Sequence, residues 1–170
     1  MDSIKEVEEE FHRPRLAAIA EHLLSNTKFK YEFFSPPAME LYLLQVHLDK
    51  ETIVSINYLP VELDEQLPYL FLQMHYTIVD DIKISSDLRE YILFANNNTV
   101  LSSFHIENNE VYIKTVITQN PDEDPDFEML MFNLGVLGNN LIDHQKMMRA
   151  IASGKMSFTE AVKEYEKMRE

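Results

Sequence analysis

Two periods of hydrophobic patterning divide this chain. Over Thr99–Glu107 and Glu110–Thr118 apolar residues alternate with polar ones, as along half-buried strands, and only Asn108-Asn109 separates the two runs. A two-residue hairpin loop needs positive φ at both central positions, which asparagine tolerates better than most residues with a side chain. That turn fixes a register. Ile106 opposes Val111, Phe104 opposes Ile113, Ser102 opposes Thr115 and Val100 opposes Ile117 on one face. His105 meets Tyr112, Ser103 meets Lys114 and Leu101 meets Val116 on the other. The first face is mostly apolar and the second mixed, and a slip of one residue would scramble both.

Just before the hairpin the period changes. Asp87–Ala95 has no glycine or proline, and Leu88, Ile92 and Ala95 fall on one face of a helix. Ser85, Ser86 or Asp87 can cap its start. Asn96-Asn97-Asn98 ends it, asparagine being at ease in the left-handed conformation of a helix terminus. Tyr91 and Phe94 lie off the apolar stripe and need cover of their own.

Elsewhere, Ile4, Val7 and Phe11 mark a first amphipathic segment, and Pro14 opens a helix through Leu16, Ile19, Ala20 and Leu23. Phe29–Phe34 can form a short strand, closed off by Ser35-Pro36-Pro37. Met39–Leu48 and Thr52–Leu59 read as strands around Asp49-Lys50-Glu51, with Val46 beside Val54 and Leu44 beside Ile56. Pro60–Gln66 is a polar crossover, and Leu70 to Val79 alternates as one long strand. After the hairpin, Asp124 caps and Pro125 opens the longest helix, striped by Phe127, Leu130, Met131, Leu134, Leu137, Leu141, Met148 and Ile151. Gly135 and Gly138 sit within it, which suggests a close approach to the sheet or else a kink, and Gly154 stops it. Ser157-Phe158-Thr159-Glu160 spells a capping box for a last helix that buries Phe158, Ala161, Val162 and Tyr165.

The fold class is therefore α+β: an antiparallel sheet with its helices packed on one side, ordered α-β-β-β-α-β-β-α with an extra C-terminal helix. A chain of 170 residues fits a single domain, with 1–12 as a helical extension, 13–153 as the core and 157–169 as the final helix.

Charge and composition narrow the function. A net charge of −14 disfavours nucleic acid and anionic membrane as partners. There is no cysteine, hence no disulfide and no thiolate metal site. No apolar run reaches the length of a membrane span, and the start of the chain lacks a signal-peptide pattern, so a cytoplasmic location is expected. Three glycines, all in or ending the long helix, leave no glycine-rich phosphate loop. Asp122-Glu123-Asp124-Pro125-Asp126 begins like a calcium loop, but Phe127 and Asn133 occupy the positions that need glycine and glutamate. No catalytic pair, nucleophile elbow or HExxH motif occurs, so no enzyme activity, catalytic residue, cofactor or metal ligand is assigned. One alternative stays open: His47, His75 and His105 lie on the mixed faces of three strands and could converge on a metal or small ligand.

The helix end Tyr91-Ile92-Leu93-Phe94-Ala95-Asn96-Asn97 and the hairpin Phe104–Ile113, in this element order, resemble the type III secretion chaperone-like fold, including the YbjN-like proteins of bacteria. The resemblance runs from the second helical segment to Ile151. It implies a non-enzymatic, chaperone- or adaptor-like homodimer that holds an extended client segment, or an uncharacterised bacterial regulatory protein of the same fold. On that reading the helix Asp87–Ala95 is the dimer element, through Leu88, Tyr91, Ile92 and Phe94.

Overall fold

The computed structural model describes residues 11–34, 42–59 and 69–169. Among these lie four helices, α1 (Arg13–Asn26), α2 (Ser86–Asn96), α3 (Phe127–Ala152) and α4 (Phe158–Arg169). Six strands accompany them: β1 (Lys30–Phe34), β2 (Leu43–His47), β3 (Ile53–Tyr58), β4 (Leu70–Val79), β5 (Ser103–Glu107) and β6 (Glu110–Gln119). The strands form one sheet in the order β1-β2-β3-β4-β6-β5. The class is α+β, with four strands rather than three ahead of α2, because Lys30–Phe34 does pair with β2. The segments 1–10, Ser35-Pro36-Pro37, the start of the expected Met39–Leu48 strand and the crossover Pro60–Gln66 lie outside the described residues. No helix among the described residues is long and apolar enough to cross a membrane.

Cα packing divides the chain into two compact units, Met1–His75 with Val116–Phe132 and Tyr76–Thr115 with Asn133–Glu170. In the first, Pro14 sits in the opening turn of α1, where its missing N–H costs nothing. Leu16, Ile19, Ala20 and Leu23 are buried from α1, which packs on β2. The strands add Leu44, Val46, Val54, Ile56, Leu72 and Met74 to this core. The expected register holds, with Leu44 opposite Ile56 and Val46 opposite Val54. Asp49 sets the connecting turn: Oδ1 accepts from the N–H groups of Glu51 and Thr52, and Oδ2 from the Thr52 hydroxyl. The Glu51 N–H, followed by the Thr52 groups, holds the Asp49 carboxyl below its ordinary pKa. Arg15 of α1 donates to the carbonyls of Pro121 and Glu123 and so ties down the acidic loop.

In the second unit, α2 begins at the Ser85 cap, whose hydroxyl accepts from Leu88 N–H at 3.2 Å. The β5–β6 hairpin keeps its expected register from Ser103↔Lys114 to Glu107↔Glu110, and Asn108 and Asn109 take φ of 50° and 64°. The strand is shorter than its alternation suggests. It starts at Ser103, so Ser102, Leu101 and Val100 do not join the ladder.

Three further expectations are corrected. Asp126, not Asp124, caps α3, accepting from Met129 N–H at 2.9 Å, so the helix opens at Phe127. Asn97 ends α2 with a right-handed φ of −77°, and Asn98 Nδ2 instead bonds back to the Phe94 carbonyl. Gly135 is exposed, and a Cβ there would meet nothing within 4 Å, so no close approach explains it. The end of α3 is as expected. Gly154 stands at φ +69°, its N–H bonds Ile151 O, and Lys155 N–H bonds Ala150 O in a Schellman pattern.

Candidate functional site

The side chains expected to form a dimer surface are used within the chain itself. Leu88, Tyr91 and Ile92 are buried, and Phe94 is half-buried. Their cover is an aromatic box around His144 of α3. The Tyr91 hydroxyl lies 3.1 Å from His144 Nδ1, and the Tyr165 ring stacks on the imidazole at 4.7 Å. Phe104 meets the same ring edge-on at 5.5 Å, and Phe94 meets Tyr165 edge-on at 5.4 Å. Helices α2, α3 and α4 and strand β5 thus converge on one imidazole. Desolvation pushes His144 down to about 4 and the Tyr91 phenol well above its ordinary value. Both groups are neutral at pH 7. Among the described residues, neither His144 Nε2 nor the Tyr165 hydroxyl has a hydrogen-bond partner. Leu88, Tyr91 and Ile92 accordingly offer no free surface to a second chain.

The three strand histidines stay apart. Strand β3 lies between β2 and β4, so His47 and His75 are two strands distant, about 10 Å at ordinary strand spacing. His47 instead reaches toward Glu32, 3.7 Å away. His105 stacks on Tyr112 at 5.3 Å and lies 2.6 Å from the Ser103 hydroxyl. Burial, then Lys114, lowers its pKa. Among the described residues no three His, Asp or Glu side chains form a metal-holding group.

What the alternation did not reveal is the segment between α2 and β5. Asn96 acts there as a piece of false β-ladder. Its Nδ2 donates to the Phe104 carbonyl at 2.9 Å, and its Oδ1 accepts from Phe104 N–H at 2.7 Å. Phe104 therefore has its edge-facing backbone groups satisfied, and β5 is closed to another strand at its centre. Between these anchors the loop is held open. Asn140 of α3 donates to Val100 O and to the Ser102 hydroxyl, and Thr99 Oγ1 donates to Ser102 O. At its tip Leu101 adopts φ +59°, a left-handed conformation uncommon for a branched apolar residue. Leu101 is 55% exposed and Val100 67%, while Leu93 on α2 is 66% exposed. Two large apolar side chains are thus presented to water by a strained loop fastened at both ends.

A cleft of about 380 Å³ lies beside the start of α4, lined by Ser85, Asp87, Ile151, Lys155 and Ser157 among others. The start of α4 already has two carboxylates on its backbone N–H groups. Asp87 accepts from Phe158 N–H and Glu160 from Ser157 N–H, completing the expected capping box.

No family model matches the chain, and no curated protein matches it in sequence.

Proposed function

We propose that this protein is a non-enzymatic protein-binding module, chaperone- or adaptor-like, that holds an extended, apolar-rich client segment at the Val100–Leu101 loop. The observation that carries this is Leu101 itself, a leucine held at positive φ with more than half of its surface in water. Backbone strain of this kind persists only where the surroundings impose it, and it gathers at binding sites. Fastening the loop through Asn140 and Thr99 pre-pays the ordering that docking would otherwise demand. The net charge of −14 favours a client with a basic character. Likeness of the α2–hairpin pattern to secretion chaperone-like proteins points the same way.

The test is affinity capture from the source cell with the intact chain and with Leu101→Asp, the bound material being identified by mass spectrometry. One stoichiometric protein, held through a short unfolded segment and lost on substitution, is the expected result. An intact chain that retains nothing stoichiometric, or a partner indifferent to Leu101→Asp, sinks the reading.

A further inference from the structure

The two edges of the sheet are treated differently. At β5 the centre is closed by the Asn96 amide, whereas among the described residues no strand or side-chain ladder covers the outer edge of β1. Phe33 and Phe34 on that strand are each 47% exposed.

Which backbone groups of β1 face outward follows from the neighbouring bonds. Leu48 N–H donates to Thr52 O, so even-numbered residues of β2 point toward β3 and odd-numbered ones toward β1. Through the pairs Lys30↔His47, Glu32↔Gln45 and Phe34↔Leu43, the even residues of β1 bond inward. Tyr31 and Phe33 are left pointing at the open edge. Their side chains share the face of Val46 and Leu44, and the two rings meet edge-on at 6.3 Å.

The sequence along this edge, Phe29-Lys30-Tyr31-Glu32-Phe33, is its own complement when read in the opposite direction. Turned about a two-fold axis through Tyr31, it sets Tyr31 against Tyr31, Phe29 against Phe33, and Lys30 against Glu32 of the second copy, twice over. Tyr31 then exchanges its N–H and C=O bonds with Tyr31 of the second copy, and Phe33 N–H donates to Phe29 C=O, as in an antiparallel ladder. Phe29 N–H keeps its bond to Thr27 Oγ1. Neighbouring registers fail. An axis at Lys30 or Glu32 opposes like charges, and an odd shift sets outward-pointing groups against inward-pointing ones. We propose that β1 is the surface by which two copies of this chain join, antiparallel about Tyr31, into a continuous sheet. This surface is separate from the Val100–Leu101 loop, and the proposal does not rest on the client-binding reading.

Charge reversal tests it on the full chain. Lys30→Glu and Glu32→Lys each place like charges opposite one another and weaken self-association on the order of tenfold. The double variant Lys30→Glu/Glu32→Lys restores the dimer, as read by sedimentation across a dilution series. Because the chain has no cysteine, Tyr31→Cys gives a second readout. On the axis its Cα atoms are about 5.5 Å apart, within disulfide range, while Phe33→Cys places its thiols too far apart to join. Oxidation cross-links the first variant and not the second, and circular dichroism confirms that both are folded. Leu101→Asp leaves the dimer intact. A chain that stays monomeric at high concentration, a folded double variant that does not re-associate, or equal cross-linking at both positions overturns the proposal. Any of these leaves the Lys30 and Glu32 charges as ordinary guards of an exposed edge.

Discussion

The Tyr91 hydroxyl and the His144 imidazole meet 3.1 Å apart inside a box of aromatic rings, and both are held neutral by burial. A histidine whose folded pKa is near 4 takes up its proton in the unfolded chain first, at about 6.5. Between those values the unfolded state binds more protons, so stability rises with pH. The contribution of His144 is full above about pH 6.5 and falls away as the pH drops toward 4. The loss amounts to about 2 kcal/mol once solvent screening is allowed for. Urea unfolding at several pH values checks this against His144→Phe, which fills similar space and cannot titrate. The variant is expected to show a shallower slope over that window. An unchanged slope would remove His144 as the cause.

Asn96 does for β5 what a neighbouring strand would do, and its amide both donates and accepts. Asn96→Asp keeps the acceptor for Phe104 N–H and cannot donate to Phe104 O, while Asn96→Ala loses both bonds. Leaving part-buried backbone groups unpaired costs about 1–3 kcal/mol, so the alanine variant is expected to be the less stable of the two. Hydrogen exchange at Phe104 should rise in step. If the alanine variant unfolds like the intact chain, the amide bonds carry no weight.

Most of the sheet was legible because alternation and turns of two or three residues obey local rules. The Ile106↔Val111 and Val46↔Val54 registers needed nothing beyond the chain on either side of each turn. What stayed hidden depends on residues distant in sequence. Leu101 alternates correctly with its neighbours, yet Asn140, some forty positions on, holds its loop out of the ladder. The sequence around α2 shows that Tyr91 and Phe94 need cover but not what supplies it, because His144 and Tyr165 come from α3 and α4. His144 gave no signal of its own, since a lone histidine on an apolar stripe carries no spacing that marks it as the centre of a cluster.

Two glycines, one inside the long helix and one just past its end, carry opposite predictions, although a Cβ at either would meet nothing within 4 Å. Gly135 lies inside α3, where alanine is better by about 1 kcal/mol, so Gly135→Ala should raise the melting temperature. Gly154 stands at φ +69° and closes the Schellman turn, so Gly154→Ala should lower stability by about 1–2 kcal/mol. Thermal unfolding of the two variants side by side decides it. Equal shifts would mean that backbone conformation does not separate the two sites.

Leu101 ties stability to function. Its left-handed backbone carries a cost of about 1–2 kcal/mol for a residue with a Cβ, and the exposed side chain gains little from burial in return. Asparagine tolerates this conformation through local hydrogen bonding, so Leu101→Asn is expected to stabilise the chain by up to about 1 kcal/mol. The same change removes the apolar tip, so capture of the client should weaken while the melting temperature rises. A merely tolerated surface leucine would raise the melting temperature on substitution without weakening capture. Differential scanning calorimetry and the capture assay on one protein preparation separate these outcomes, and a stabilised variant that still retains its client would move the binding surface away from this loop.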